Sequence, residues 1–415
     1  MLTTVLRILI ARRIKPFVFE RRKDVYLRYR SSNIGIYVHI PFCRSLCPFC
    51  PYYKVLYKEE IAKRFKDALI NEIEIVSTRY RDKTVDSVYF GGGTPALLID
   101  YLPEINAKLK TNFNISGDFA IELHPLDLTR ENLKILEEIG FGMISIGIQS
   151  FSKRCLDALD RREGAQSVKK SLLLIKDFDF KTVDVDLIFG IPGQTLESLK
   201  EDFETAVEFG ATQISTYPFI DFSFLNNREK PLGRREKRVM LRQLTQIAND
   251  IGFERTSIWT FAKRGSQRYS SITRDNFIGF GPSASSLGDN AFKINTFFLE
   301  EYINSLEKKD LPSCLVLEFD IISRASYWLF WNSYNMDINR ESFYRLFGVE
   351  LEKIFYWQLR FGEVLGLLKR YEKGYKLTER GAYYFHLVEQ EYTHKYIDRI
   401  WRLQRTESYP ERIII

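Results

Sequence analysis

The strongest constraint on this chain is an alternation. Between residues 34 and 260, short apolar runs alternate with longer amphipathic ones. The apolar runs at 34–40, 85–90, 119–123, 143–148, 183–189 and 213–217 read as strands. Segment 59–80 sets apolar residues at 61, 65, 69, 73 and 76, along one helical face. Further helical stretches fall near 97–110, 129–140, 152–177 and 195–209. This pattern builds parallel strands joined by right-handed crossovers, an α/β fold. Six such units form an open barrel or a doubly wound sheet, and periodicity leaves both open. In either, the residues that meet a ligand stand at the C-terminal ends of the strands. GGGTP (91–95), ELHP (122–125), GIQSF (147–151) and FGIPGQT (189–195) each follow directly on a strand, so they converge on one rim.

Past residue 310 the texture changes to an aromatic-rich stretch. A helix, a turn, a two-stranded element bearing Gly374 and a helix near 380–391 read as a small winged-helix-like α+β unit. The linker falls at 308–312, KKDLP. Tyr327, Trp328, Phe330 and Trp331 suit a core between domains or, alternatively, a flat apolar ligand.

Three of the five cysteines, Cys43, Cys47 and Cys50, are spaced C-x3-C-x2-C within YVHIPFCRSLCPFCPYY. Such sparse, clustered cysteines do not make a disulfide framework and point to a reducing, cytoplasmic setting. A zinc site takes four ligands, and with Cys155 and Cys314 isolated in sequence, His39 would have to be the fourth. A redox CxxC would leave Cys43 unused. Three thiolates from one loop best suit a [4Fe–4S] cluster with one iron left open to a small-molecule chelate.

The formal charge is +7. Residues 1–23 hold seven Arg or Lys against Glu20, and residues 228–242 hold seven against two acids. Each reads as a solvated surface or as a site for an anionic partner. Leu2, Val5, Leu6, Leu9 and Ile10 add an apolar face to the first cluster. It therefore lies on a membrane surface, as a peripheral contact through residues 1–23, or docks on its own domain. No interleaved aromatic-basic pattern points to nucleic acid. No run of eighteen apolar residues spans a membrane, and the N-terminus, broken by Arg7 and without a small-residue cleavage site, does not read as a signal peptide.

YVHIPFC, VYFGGGTP, SIGIQSF and DVDLIFGIPGQT, in this order behind the three cysteines, resemble the oxygen-independent coproporphyrinogen III oxidase family of radical S-adenosylmethionine (SAM) enzymes. That family includes the oxidase, a haem-chaperone branch, haem-degrading methyltransferases and class C radical SAM methylases. The resemblance runs from about residue 36 to 288, and more loosely to about 390. It implies a partial (β/α)6 radical SAM barrel at 34–310, a substrate-covering winged-helix-like domain at 311–395, a basic N-terminal extension at 1–33 and a tail at 396–415. It also implies that Cys43, Cys47 and Cys50 hold the cluster, and that SAM chelates the open iron and is cleaved by one electron to an abstracting radical. Tyr37, Gly92 and Glu122 match positions for that SAM. Phe49, Gly93, Thr94, Gln149, Arg161 and Asp186 match positions for a second SAM beside it. A large, partly apolar small-molecule substrate and a reduced donor such as flavodoxin or ferredoxin complete the expected partners.

The branch is read from departures. Tyr52 stands where the oxidase carries a further cysteine, and Ser285 where it carries an isoleucine. YSSITRDNF replaces the H-N-x-x-Y-W signature of the haem-chaperone branch. The readings kept are an oxidase-like enzyme acting on a tetrapyrrole, a class C methylase using two SAM on an sp2 carbon of a flat aromatic, quinone-like or tetrapyrrole substrate, and a haem chaperone.

Overall fold

The structure, a computed structural model, describes residues 17–161, 165–267, 275–408 and 410–415. The apolar residues 2–10 and Arg162 lie outside them, whereas Phe17 and Phe19, from the end of the basic N-terminal segment, are buried. A first strand, β1 (Val18–Arg22), precedes β2 (Asn33–Ile40) and the short pair β3 (Phe42–Cys43) and β4 (Val55–Leu56) that brackets the cysteine loop. Then come β5 (Thr84–Gly92), β6 (Asn114–Leu123), β7 (Phe141–Gln149), β8 (Thr182–Phe189) and β9 (Gln213–Pro218), with helices between them. The strands β2, β5, β6, β7, β8 and β9 pair in that order, all parallel, so the six expected units share one sheet.

The helices form for local reasons. Glu59–Ser77 starts on two acids, which suit a helix N-terminus, and buries Phe65, Leu69, Ile73 and Val76. Arg130–Ile139 is capped by the Thr129 side chain, which accepts from Asn132 N. Thr195 and Ser198 cap Leu196–Glu208 reciprocally.

Beyond β9 come β10 (Phe253–Arg255), β11 (Thr260–Lys263), β12 (Phe277–Phe280), β13 (Ser285–Leu287), β14 (Ala291–Asn295) and β15 (Cys314–Glu318). Strand β12 pairs parallel with the far side of β2, a seventh parallel strand that the alternation does not announce. Its neighbours β13, β14, β15, β1 and finally β19 (Arg412–Ile414) continue the sheet antiparallel. Segment 311–320 thus returns to the large sheet before the C-terminal helices begin, and residues from the 396–415 stretch add its last strand. A buried carboxylate ties these additions to the barrel. Glu72 accepts from Gly281 N at 2.8 Å, Asn295 Nδ2 at 2.9 Å and Tyr302 OH at 2.6 Å.

Three local readings change. Strand β6 begins at Asn114, five residues before its apolar run. Its polar start hides it, and Gly117 fits there because a Cβ would stand 1.8 Å from Asp86 O on β5. The stretch 152–177 is interrupted, with separate helices at Lys153–Ala158 and Ala165–Leu174. The second basic cluster lies largely on a helix, Arg234–Asp250, that buries Met240, Leu241, Leu244 and Ile247 and exposes Arg234, Arg235, Arg238 and Arg242.

At the C-terminus, β16 (Asp337–Asn339), β17 (Leu368–Tyr371) and β18 (Gly374–Leu377) form a three-stranded sheet, ordered β16-β18-β17. Helices Ile321–Tyr334, Arg340–Phe347, Leu351–Val364 and Glu379–Tyr392 surround it, a winged-helix-like arrangement. Trp328 is buried against Phe343 and Phe347, which makes it core.

Candidate active site

The three clustered thiols sit in one loop between β3 and β4, and each meets its own hydrogen-bond donor. Thr94 Oγ1 donates to Cys43 Sγ at 3.8 Å, and Arg161 Nη1 donates to Cys47 Sγ at 3.8 Å. Lys54 reaches Cys50, donating to its carbonyl at 2.6 Å and partly offsetting the burial that raises its thiol. Burial, then the charges of Cys50 and Cys47, push the Cys43 thiol up to about 12, and burial also raises Cys50. Three thiolates this close need a cationic group among them, while their donors suit sulfurs that stay ionised. The donor set therefore fits an iron–sulfur cluster. A mononuclear zinc site would need a fourth ligand beside the three thiols. His39 is committed elsewhere. Its Nε2 donates to Tyr53 O at 3.0 Å, which leaves Nδ1 to accept from Tyr37 OH at 2.9 Å. Cys155 and Cys314 are buried in other elements, a helix and β15.

The loop is anchored on several sides. Arg44 Nη1 lies 2.5 Å from the buried Asp127, which follows β6. Phe49 packs on Cys155, Ile188 and Phe219, and Arg161 Nη2 donates to Gly147 O at 2.9 Å. Thr94, Arg161 and Phe49 therefore all stand on or against the cysteine loop.

The glycine run after β5 forms the adjoining edge. Gly92 has φ +115°, and a Cβ on it would meet the His39 ring at 2.6 Å. Its N–H donates to Glu122 Oε2 at 3.0 Å, and Tyr89 OH donates to Glu122 Oε1. Gly93 N–H donates to Ile40 O at 2.8 Å. Gly92→Ala is expected to destabilise the fold by about 1–3 kcal/mol through the forbidden φ and the displaced imidazole. A thermal melt checks this; an unchanged melting temperature contradicts it.

Glu122, near the end of β6, and Asp186, in the middle of β8 and short of its expected strand end, supply the acids. Burial raises Glu122 to about 7, partly offset by the Gly92 N–H. Asp186 on β8 is raised by burial, then by the charges of Asp184 and Glu122, and accepts from Ser145 Oγ at 3.0 Å. Burial raises Asp184 to about 6. Gln149 ends β7 at φ 71°, a left-handed conformation that costs energy for a residue with a side chain. The turn is held by buried Asp202, which accepts from Ser150 Oγ and Phe151 N, both at 2.6 Å. Such strain at a strand end beside polar groups is typical of functional sites.

Aromatic residues stand near these acids. Tyr52 keeps half of its surface (50%), yet its hydroxyl is raised by desolvation and by Glu122, Cys50, Asp186 and Tyr334. Tyr217, at the end of β9, is raised by burial and then by Asp186, Tyr334, Asp184 and Tyr52. Tyr37 is raised by burial, Glu122 and Tyr52. Tyr52 of the cysteine loop, Tyr37 of β2, Glu122 of β6, Asp186 of β8, Tyr217 of β9 and Tyr334 of the C-terminal helix Ile321–Tyr334 therefore lie within electrostatic reach of one another. The last turns of the chain brace the cysteine loop. Arg405 Nη2 donates to Pro51 O at 2.6 Å, and Trp401 packs on Tyr52 with ring centroids 5.8 Å apart. Ser285 lies on β13, beside the β12 strand that adjoins β2.

Sequence reasoning missed Lys54, Asp202, Tyr217, Tyr334 and Arg405. Lys54 follows the cysteines and was legible in principle. Arg405 reaches the loop from 354 positions away, and no local pattern announces that.

The sequence profile of the Radical SAM superfamily matches residues 37–206. The heme chaperone HemW of Bacillus subtilis is 26% identical over 361 residues, covering 83% of this chain and 95% of that protein. The oxygen-independent coproporphyrinogen III oxidase of Pseudomonas aeruginosa is 26% identical over 315 residues, 68% of each chain. The solved structure of HemN, the coproporphyrinogen III oxidase of Escherichia coli described as a radical SAM enzyme, superposes with a TM-score of 0.76 at 20% identity. It covers 90% of this chain and 95% of its own. With three thiols clustered at the C-terminal rim of a parallel sheet, this chain carries a radical SAM domain over residues 37–206 and is similar along most of its length to HemW and to oxygen-independent coproporphyrinogen III oxidases.

Proposed function

We propose that this protein is a radical SAM enzyme that cleaves SAM reductively and abstracts hydrogen from a large, flat, partly apolar substrate of tetrapyrrole type. The gathering of the cysteine loop, the buried acids Glu122 and Asp186, and Tyr37, Tyr52 and Tyr217 within electrostatic reach of one another supports this reading. When bound, the cluster supplies the electron that breaks the carbon–sulfur bond of SAM. The chain's own part is to bind, orient and exclude water. Glu122, held by Gly92 N–H and Tyr89, can accept from a ribose or an ammonium. Asp186 and Tyr37 stand close enough to share that role. Tyr52 and Tyr217, neither fully buried, offer an aromatic surface for a planar ring.

A second reading is methyl transfer with a second SAM. Arg161 favours it: its guanidinium is buried at the loop edge, between the Cys47 thiol and Gly147 O, where a carboxylate could join it. The relatives include a named haem chaperone, but the histidines here do not prepare for axial ligation. His39 is committed to Tyr37 and Tyr53, and His386 to Trp259 Nε1 at 2.9 Å. His124 accepts from Leu126 N at 3.2 Å, and His394 is exposed on the π-helical turn Thr393–Ile397.

The test is anaerobic turnover with reductant, CD3-labelled SAM and coproporphyrinogen III. Carbon dioxide without label transfer supports the first reading. A CD3-bearing product supports the second. Haemin bound with a histidine-type Soret band, in a protein that leaves SAM intact, overturns both.

A further inference from the structure

The helix Leu351–Val364 and the hairpin β17–β18 carry features that the cysteine-loop site does not use. Past a kink at Phe355, where the backbone leaves helical geometry, Trp357, Phe361 and Val364 recur at helical spacing on one face. All three are exposed, Trp357 at 66% and Val364 at 74%, and Tyr356 and Tyr344 are exposed beside them. A folded chain normally keeps such side chains apart or covers them. The next face of the same helix, with Gln358, Leu359 and Gly362, lines a narrow, open hollow. Its other walls are almost wholly apolar and include Leu368, Leu377, Phe385 and Val388. Ser333, one of its few polar side chains, already donates to Leu329 O at 2.7 Å. The hollow therefore offers hydrocarbon surface with little to hold a polar ligand.

The exposed charge of the neighbouring hairpin has one dominant sign, while the helix itself pairs Arg360 with Glu363. The hairpin exposes Lys369, Arg370, Lys373 and Lys376 against Glu372 alone. It packs on the helix, with Gly362 in close contact with Leu368. A row of Trp, Phe and Val edged by Lys and Arg matches the chemistry of an anionic lipid surface: acyl chains meet the apolar row and head groups meet the cations.

We propose that this face of the C-terminal domain docks on an anionic bilayer, and that the adjoining hollow takes up a hydrocarbon chain. The cations supply attraction to the surface, and Trp357 and Phe361 enter the interface. Neither role needs the cysteine loop, so the inference stands apart from the reading of that site.

The test uses the full chain, loaded with its cluster. Co-sedimentation compares vesicles of phosphatidylcholine alone with vesicles containing phosphatidylglycerol. Wild type is expected to bind the anionic vesicles at least tenfold better than the neutral ones. The double variant Trp357→Ser/Phe361→Ser is expected to lose at least tenfold of that binding with iron content unchanged, which separates this face from residues 1–16. Palmitate, titrated in solution, is expected to bind wild type and to bind Val388→Phe at least tenfold more weakly. Equal binding to both vesicle types, an unaffected double variant, or equal palmitate binding by Val388→Phe overturns the proposal. So does capture by soluble polyglutamate that survives the double substitution while vesicles fail to bind, since that marks an acidic protein partner.

Discussion

Changing any one of Cys43, Cys47 or Cys50 to Ala is expected to abolish the broad iron–sulfur absorbance near ~400 nm and, with it, all SAM cleavage. The expectation follows from the arithmetic of the loop. Three thiols serve three irons, and neither remaining cysteine can substitute, because Cys155 and Cys314 are buried elsewhere. Each thiol also has a separate donor in Thr94, Arg161 or Lys54, so no single neighbour compensates for a lost ligand. The same variants should fold, since two of the three thiols are only partly buried and none lies in a large core cluster. Iron analysis and visible absorbance after anaerobic reconstitution check the outcome. A variant that keeps the full band and full cleavage contradicts the assignment of that cysteine.

Glu122→Gln is expected to weaken SAM binding about 10- to 150-fold while leaving iron content intact. The carboxylate holds the Gly92 N–H and the Tyr89 hydroxyl and stands beside Tyr37. A hydrogen bond to a charged partner contributes roughly 1.5–3 kcal/mol, which corresponds to that range of affinity. The amide keeps one acceptor and nearly the same shape, so the fold and the cysteine loop should survive. Equilibrium dialysis of SAM against the reconstituted variant measures the effect. An affinity equal to wild type places the SAM site away from the end of β6.

The parallel sheet was legible because burial on both faces writes strands as unbroken apolar runs, and the connecting helices show their period and caps. Strand β6 was clipped because Asn114, Ser116 and Asp118 carry no apolar signal. Strand β12 was hidden for a different reason: only four residues long, it pairs with β2 from far along the chain. The rim was legible wherever a motif follows a strand, as with GGGTP and Glu122. Thr94 and Arg161 were found by type, but their contact with the thiols depends on how the loop folds back, which spacing does not encode. The surroundings of the cysteine loop were least legible. Tyr334 and Arg405 reach them through tertiary packing, and neither stands in a motif.

The chemistry of the site depends on whether the three thiols hold a cluster that acts on SAM. The most direct measurement is a single anaerobic incubation of the reconstituted protein with dithionite and SAM, with 5′-deoxyadenosine and methionine quantified by chromatography. Wild type should release both in equal amounts, and the Cys50→Ala protein should release neither. A reduced wild-type protein that carries its full complement of iron and leaves SAM intact would contradict the account.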